Sequence, residues 1–92
     1  MKYIMFKKER NGAITHYPVL FPNDLVHADV AEWLMTGPLE GFSVRSAGFV
    51  SSIGKGEGVH GRSDTLGVSS HPDDKDIING QDYGAAFDFT NA

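Results

Sequence analysis

Residues 58–74 read GVHGRSDTLGVSSHPDD. Two histidines, an arginine, serines, a threonine and aspartates lie there among glycines, with few large apolar residues between them. Three chemistries could use such a set. A nucleophilic site would take Ser63 with His60 and Asp64. Working triads, however, gather their members from distant segments so that the side chains converge, and no strained-turn signature such as G-x-S-x-G surrounds the serine. Ser63-Asp64-Thr65 reads more simply as a turn in which side chains bond nearby backbone N–H groups. A metal site would take His60, Asp64, His71 and Asp73, imidazoles and carboxylates suited to zinc or manganese and so to a metal-dependent hydrolase. No pair has the H-E-x-x-H spacing, and Asp73-Asp74-Lys75-Asp76 departs from a calcium loop at several ligand positions. Acid at a helix start already complements the helix dipole.

Anion recognition is the third chemistry and the one the residues favour. Arg62 can present a planar fork to phosphate. Gly61 and Gly67 leave backbone N–H groups accessible, while Ser63 and Thr65 add hydroxyl donors. His60, two residues from Arg62 on a short extended run, shares its face. In the alternating segment 41–53, GFSVRSAGFVSSI, Arg45 and Phe49 fall on one face, so one could hold a phosphate while the other stacks on a base. The competing reading is a solvated sheet face in which Arg45 pairs with a glutamate, worth little in stability. Gly56-Glu57-Gly58-Val59-His60-Gly61 matches G-x-G-x-x-G in letters only, since the dinucleotide fingerprint needs a helix straight after it.

The elements that must position these groups follow from periodicity. KYIMFK, residues 2–7, is apolar on both faces, as a buried central strand is. Asn11-Gly12 then signals a hairpin, with AITHYPVLF, residues 13–21, returning as an edge or bulged strand because Pro18 cannot donate to a ladder. Residues 24–36 predict an amphipathic helix, capped by Asn23 or Asp24, with Val26, Val30, Trp33 and Leu34 as its core stripe and Gly37-Pro38 as its end. Gly48 suggests a bulge or a close approach. GKGEG is a turn, VHGR a short strand, TLGVS another strand, and residues 72–79 a short second helix with Gly80 past its end. DYGAAFDF reads as a last strand. The expectation is one α+β domain over residues 1–92: a small, mostly antiparallel sheet of five or six strands with one good helix packed on it. His16 and His27 read as structural.

Composition narrows the classes of function. At 92 residues and 40% apolar content the chain has enough for one core and is not a disordered tail. It has no cysteine, which removes disulfides, thiolate metal sites and cysteine nucleophiles together. No segment approaches the length of a membrane span, and the apolar run near the N-terminus is too short for a signal peptide, so a cytoplasmic location and no membrane partner are expected. Net charge is −4, with a balance of +3 over residues 1–10 and −5 over residues 64–92. The basic residues are too scattered for a duplex nucleic-acid partner.

FPNDLVHADVAEWL, SAGFVSS and HGRSDTLGVSS together resemble a group of small proteins encoded in phages and prophages, a likeness that runs from Lys2 to Asp76. The resemblance carries no catalytic motif. It implies an accessory viral protein, acting in the host cytoplasm during infection. Small phage proteins of several kinds counter host defence by sequestering nucleotide signals without catalysis, often as symmetric oligomers. By that analogy the chain is expected to be a non-enzymatic homo-oligomer, without cofactor, that binds a small anionic ligand such as a cyclic nucleotide through Arg45, Phe49, His60, Arg62, Ser63 and Thr65. The alternatives are a protein–protein inhibitor or assembly factor of a phage and, second, the metal-dependent hydrolase.

Overall fold

The computed structural model describes residues 1–50 and 59–80. Strands β1 (Lys2–Arg10) and β2 (Ala13–Phe21) form the expected hairpin. Asn11 and Gly12 join them with φ of 53° and 82°, the left-handed pair that a two-residue turn requires and that asparagine and glycine adopt at little steric cost. Strand β3 (Ser43–Val50) pairs with the other edge of β1, and β4 (Val59–His60) pairs with β3. The order is β2-β1-β3-β4, antiparallel throughout. Strands β5 (Arg62–Ser63) and β6 (Val68–Ser69) make a separate two-stranded sheet. Helix α1 (His27–Met35) and the short helix α2 (Asp74–Asn79) complete an α+β architecture. The described strands are thus divided between two sheets rather than collected in one. The turn expected at 54–58 and the last strand expected at 82–89 lie outside the described residues.

β1 is the central strand, and its run Tyr3–Phe6 is wholly buried. Successive side chains of a strand point to opposite faces, so this run feeds two cores. Ile4 and Phe6 pack with Val19, Phe21 and Ala47 against Val30 and Ala31 of α1 and against Leu39. Tyr3 and Met5 pack with Leu20 and Val50 against Ile78 of α2. Burying one such side chain stabilises by about 1.5–3 kcal/mol, which explains why a domain this small covers both faces of its sheet. Among the described strands β2 lies at an edge, one of the two arrangements that Pro18 allows.

Helix α1 begins three residues later than expected. Asn23 and Asp24 sit in a turn closed by the Leu25 N–H to the Pro22 carbonyl at 3.2 Å, and the N-cap is Val26, whose side chain cannot cap. The cap comes from elsewhere: Thr65 Oγ1 accepts the Ala28 N–H at 3.2 Å. The buried residues of the helix are His27, Val30 and Ala31. Trp33, expected in the core, is 58% exposed. The apolar count had admitted Val26 and Trp33 and passed over His27 and Ala31, which rotated the stripe. Gly37 follows the helix end without the left-handed conformation that glycine often supplies there. The left-handed glycine of this connection is Gly41 at φ 90°. The end of the helix is held instead by the Thr36 N–H and hydroxyl, both donating to the Glu32 carbonyl.

β3 carries the decisive irregularity. Its register with β1 pairs Met5 with Ser46 but Phe6 with Val44, leaving Arg45 as an extra, unpaired residue. A bulge of this kind re-aims a side chain and shifts the alternation beyond it. Gly48 is not the bulge. It is the close approach: a Cβ there would lie 2.5 Å from the His60 carbonyl oxygen and 3.3 Å from the Tyr3 ring.

Candidate functional site

Because of the bulge, Arg45 and Phe49 do not share a face. Phe49 pairs with Lys2 and stays on the α1 side, whereas Arg45 turns to the α2 side. The expected site therefore splits into two clusters.

The first lies at the N-terminal end of α1. Lys2, Val26, His27, Phe49, Arg62, Asp64 and Thr65 line a concavity of about 260 Å³. His27 forms its floor and is 4% exposed. A carbonyl can only accept, so His27 Nε2–H donates to the Gly48 carbonyl at 3.0 Å. The imidazole meets the rings of Phe21 and Phe49 edge-on, at 5.4 and 5.7 Å between centroids. Burial pushes its pKa below the ordinary histidine value, and the nearby Lys2 ammonium acts in the same direction. His27 is thus a neutral core residue at neutral pH. Phe49 stacks in turn on His60, at 6.0 Å and 25° between planes.

The ion pair of this concavity is loosely held. Arg62 Nε pairs with Asp64 at 3.2 Å, but both side chains are exposed, so the pair is screened and easily exchanged. Lys2 Nζ donates to the Leu25 carbonyl at 2.7 Å. The backbone of the helix start adds a positive dipole end. Such a set can present two cations and an aromatic ring to a planar anion. Lys2 went unnoticed in the sequence. Its signal is parity with Ile4 and Phe6, readable only once β1 is known to pair with β3.

Of the six residues expected to hold ligand, Phe49, Arg62 and Thr65 line the concavity, and His60 lies against it through Phe49. Ser63 does not line it. This serine is 1% exposed, and its hydroxyl accepts the Leu66 N–H at 3.1 Å, the turn chemistry that the sequence also allowed. Thr65 is already occupied as the cap of α1.

Arg45 builds the second cluster, on the α2 face. Its guanidinium stands 2.6 Å from His16 Nε2, 2.6 Å from His71 Nδ1 and 3.4 Å from Asp73 Oδ2. A guanidinium only donates, so both imidazole nitrogens accept. His71 Nδ1 also receives the Asp73 N–H at 3.2 Å and lies 3.7 Å from Asp73 Oδ2. Beneath them Asp74 is fully buried. Asp74 Oδ2 accepts from the Tyr3 hydroxyl at 2.5 Å and from the His71 N–H at 2.8 Å. Asp74 Oδ1 lies 3.9 Å from Arg45 and, among the described residues, has no hydrogen-bond partner, and neither does the buried Ser46 hydroxyl. Burial and then the Asp74 carboxylate raise the Tyr3 pKa far above that of an ordinary phenol, so it donates as a neutral group. This cluster fastens α2 and the 70–74 turn to the sheet. Arg45 is committed to that work and is not placed to touch a ligand at Phe49. His16, expected to be structural, belongs to the same fastening.

The four residues proposed for a metal are not one group. His60 and Asp64 accompany Phe49 and Arg62, while His71 and Asp73 accompany Arg45. Among the described residues no cluster of three or more histidine or carboxylate side chains could hold a metal ion. Nor is any helix among them long and apolar enough to cross a membrane. No protein-family model, curated protein or solved structure was found to match the chain.

Proposed function

We propose that this chain is a non-enzymatic binding protein for a small phosphate-bearing ligand with a planar ring, such as a cyclic nucleotide. The observation that carries the reading is the convergence of Lys2, Arg62 and the Phe49 ring on one concavity at the start of α1. Arg62 would exchange its exposed bond to Asp64 for a phosphate, gaining a charge-assisted bond in a drier setting. Lys2 would supply a second positive charge and Phe49 a stacking surface backed by His60. At about 260 Å³ the concavity is smaller than most small-molecule sites, which supports a homo-oligomer in which a neighbouring subunit deepens it. The resemblance of HGRSDTLGVSS and SAGFVSS to phage-encoded proteins favours an accessory role in infection, with a host nucleotide signal as the ligand to be sequestered.

Thermal unfolding of the purified chain across a panel of cyclic mono- and dinucleotides and ADP-ribose derivatives tests this. Ligand at about a hundred times its dissociation constant stabilises by about 2.7 kcal/mol, a melting shift on the order of ten degrees for a domain of this size. Arg62→Ala is expected to abolish the shift and leave the melting temperature of the free protein within about two degrees, since its side chain is exposed. An unchanged shift in that variant would remove Arg62 from the site. Absence of a shift with every member of the panel would turn the reading towards a protein partner.

A further inference from the structure

We propose that the exposed face of α1 is the contact surface for a second copy of this chain, which lays its β1–β2 hairpin tip across it in a two-fold pair. Val26, Asp29, Glu32, Trp33 and Thr36 are all exposed, and on a helical wheel they form one continuous arc opposite the buried His27, Val30 and Ala31. Trp33 at 58% exposure and Val26 at 40% are two of the three large apolar residues that stand out from the described surface. A tryptophan left in water is the commonest anchor of a protein interface.

Charge says what kind of partner fits. Residues 22–44 carry Asp24, Asp29, Glu32 and Glu40 and contain no lysine or arginine. Acid on the helix face around an exposed tryptophan calls for a basic partner. The chain holds such a feature at the hairpin tip, where Lys8 and Arg10 stand two residues apart on one face of β1. By strand alternation Lys8 and Arg10 lie on the α1 side of the sheet, and Lys8 Nζ sits 5.5 Å from the Phe42 ring there. Acidic helix and basic tip therefore belong to one face of the molecule. A face with both halves is self-complementary: under a two-fold axis each tip meets the other helix, and every favourable contact is made twice. Arg10 or Lys8 over the Trp33 indole adds a cation–π contact.

The proposal does not depend on the ligand reading and is tested on the ligand-free, full chain by sedimentation velocity at low ionic strength. Wild type is expected to dimerise at or below about 100 μM, more weakly as salt rises. The single tryptophan reports the same event by a blue shift of its emission. Lys8→Glu with Arg10→Glu makes both halves acidic, and Asp29→Lys with Glu32→Lys makes both basic. Each double variant alone is expected to dimerise at least tenfold more weakly, and an equimolar mixture of the two should recover a heterodimer. Trp33→Ser, at an exposed position that leaves the core intact, should also weaken the dimer at least tenfold. A wild-type monomer throughout that range, double variants that dimerise as wild type does, a mixture that recovers nothing, or an unaffected Trp33→Ser dimer would each overturn the proposal.

Discussion

Among the described residues Asp74 finds two hydrogen bonds for one carboxylate oxygen and none for the other, in a position with no access to solvent. A buried charge in that state depends on every neighbour that faces it, because removing one leaves the rest desolvated without compensation. Asp74→Ala takes the acceptor from the Tyr3 hydroxyl and the His71 N–H and leaves the exposed Asp73 as the one carboxylate still facing Arg45, beside His16 and His71. The expected cost is about 3 kcal/mol of unfolding free energy in urea titration. Tyr3→Phe is expected to cost about 1–2 kcal/mol. Since the two groups share one hydrogen bond, the double variant should cost less than the sum of the singles. Strict additivity would mean that the Tyr3–Asp74 contact contributes nothing. At this scale Arg45 is the instructive residue: its type suggested phosphate, and its surroundings make it a fastener.

Among the elements, β4 depends on a single missing side chain. With its Cβ position 2.5 Å from the His60 carbonyl oxygen, Gly48 is the only residue type that lets β4 close on β3. Gly48→Ala should push β4 outward, destabilise the domain by about 2 kcal/mol or more, and separate the Phe49 and His60 rings. The Val50 N–H bonds to the Met1 carbonyl, so by alternation Phe49 faces β4; loss of amide-exchange protection at Phe49 and His60 would register the change, and retained protection there would refute it. The hairpin, the central strand, both helices and the close approach at Gly48 were legible from the sequence, because each rests on local chemistry: Asn-Gly torsions, an apolar run, helical periodicity, a glycine inside a strand. What was not legible depends on tertiary partners. The cap of α1 comes from Thr65, remote in sequence, so Asn23 and Asp24 were plausible and idle. The identity of the buried stripe turned on whether His27 would lose its solvent, which only Phe21, Phe49 and the Gly48 carbonyl decide. Three of the seven residues that line the concavity, Phe49, Arg62 and Thr65, were visible by residue type, while Lys2 required the strand order.

For the molecule as a whole, two buried titratable groups on opposite sides of the sheet set the limits of its stability. His27 has a lowered pKa when folded, so the unfolded chain takes up the proton first as pH falls. Its contribution is fully present above about pH 6.5 and is lost below that, with a slope of up to about 1.4 kcal/mol per pH unit until the folded imidazole also protonates. Tyr3 has a raised pKa, so the unfolded chain releases that proton first, and stability falls as pH rises above about 10. A melting profile should therefore be flat between these limits and decline on both sides. His27→Gln should flatten the acid limb, and an unaltered limb would place its origin elsewhere. Both cores hang on one central strand, and the bulge at Arg45 keeps them in step. Val44 and Ala47 both face α1 although they stand an odd number of residues apart, which regular alternation forbids. The extra residue acts on the sheet as a compensating frameshift acts on a message: everything upstream is read in one phase, everything downstream in the other, and sense is kept on both sides. Chain length between Val44 and Ala47 is for that reason as strictly specified as the identity of any core side chain.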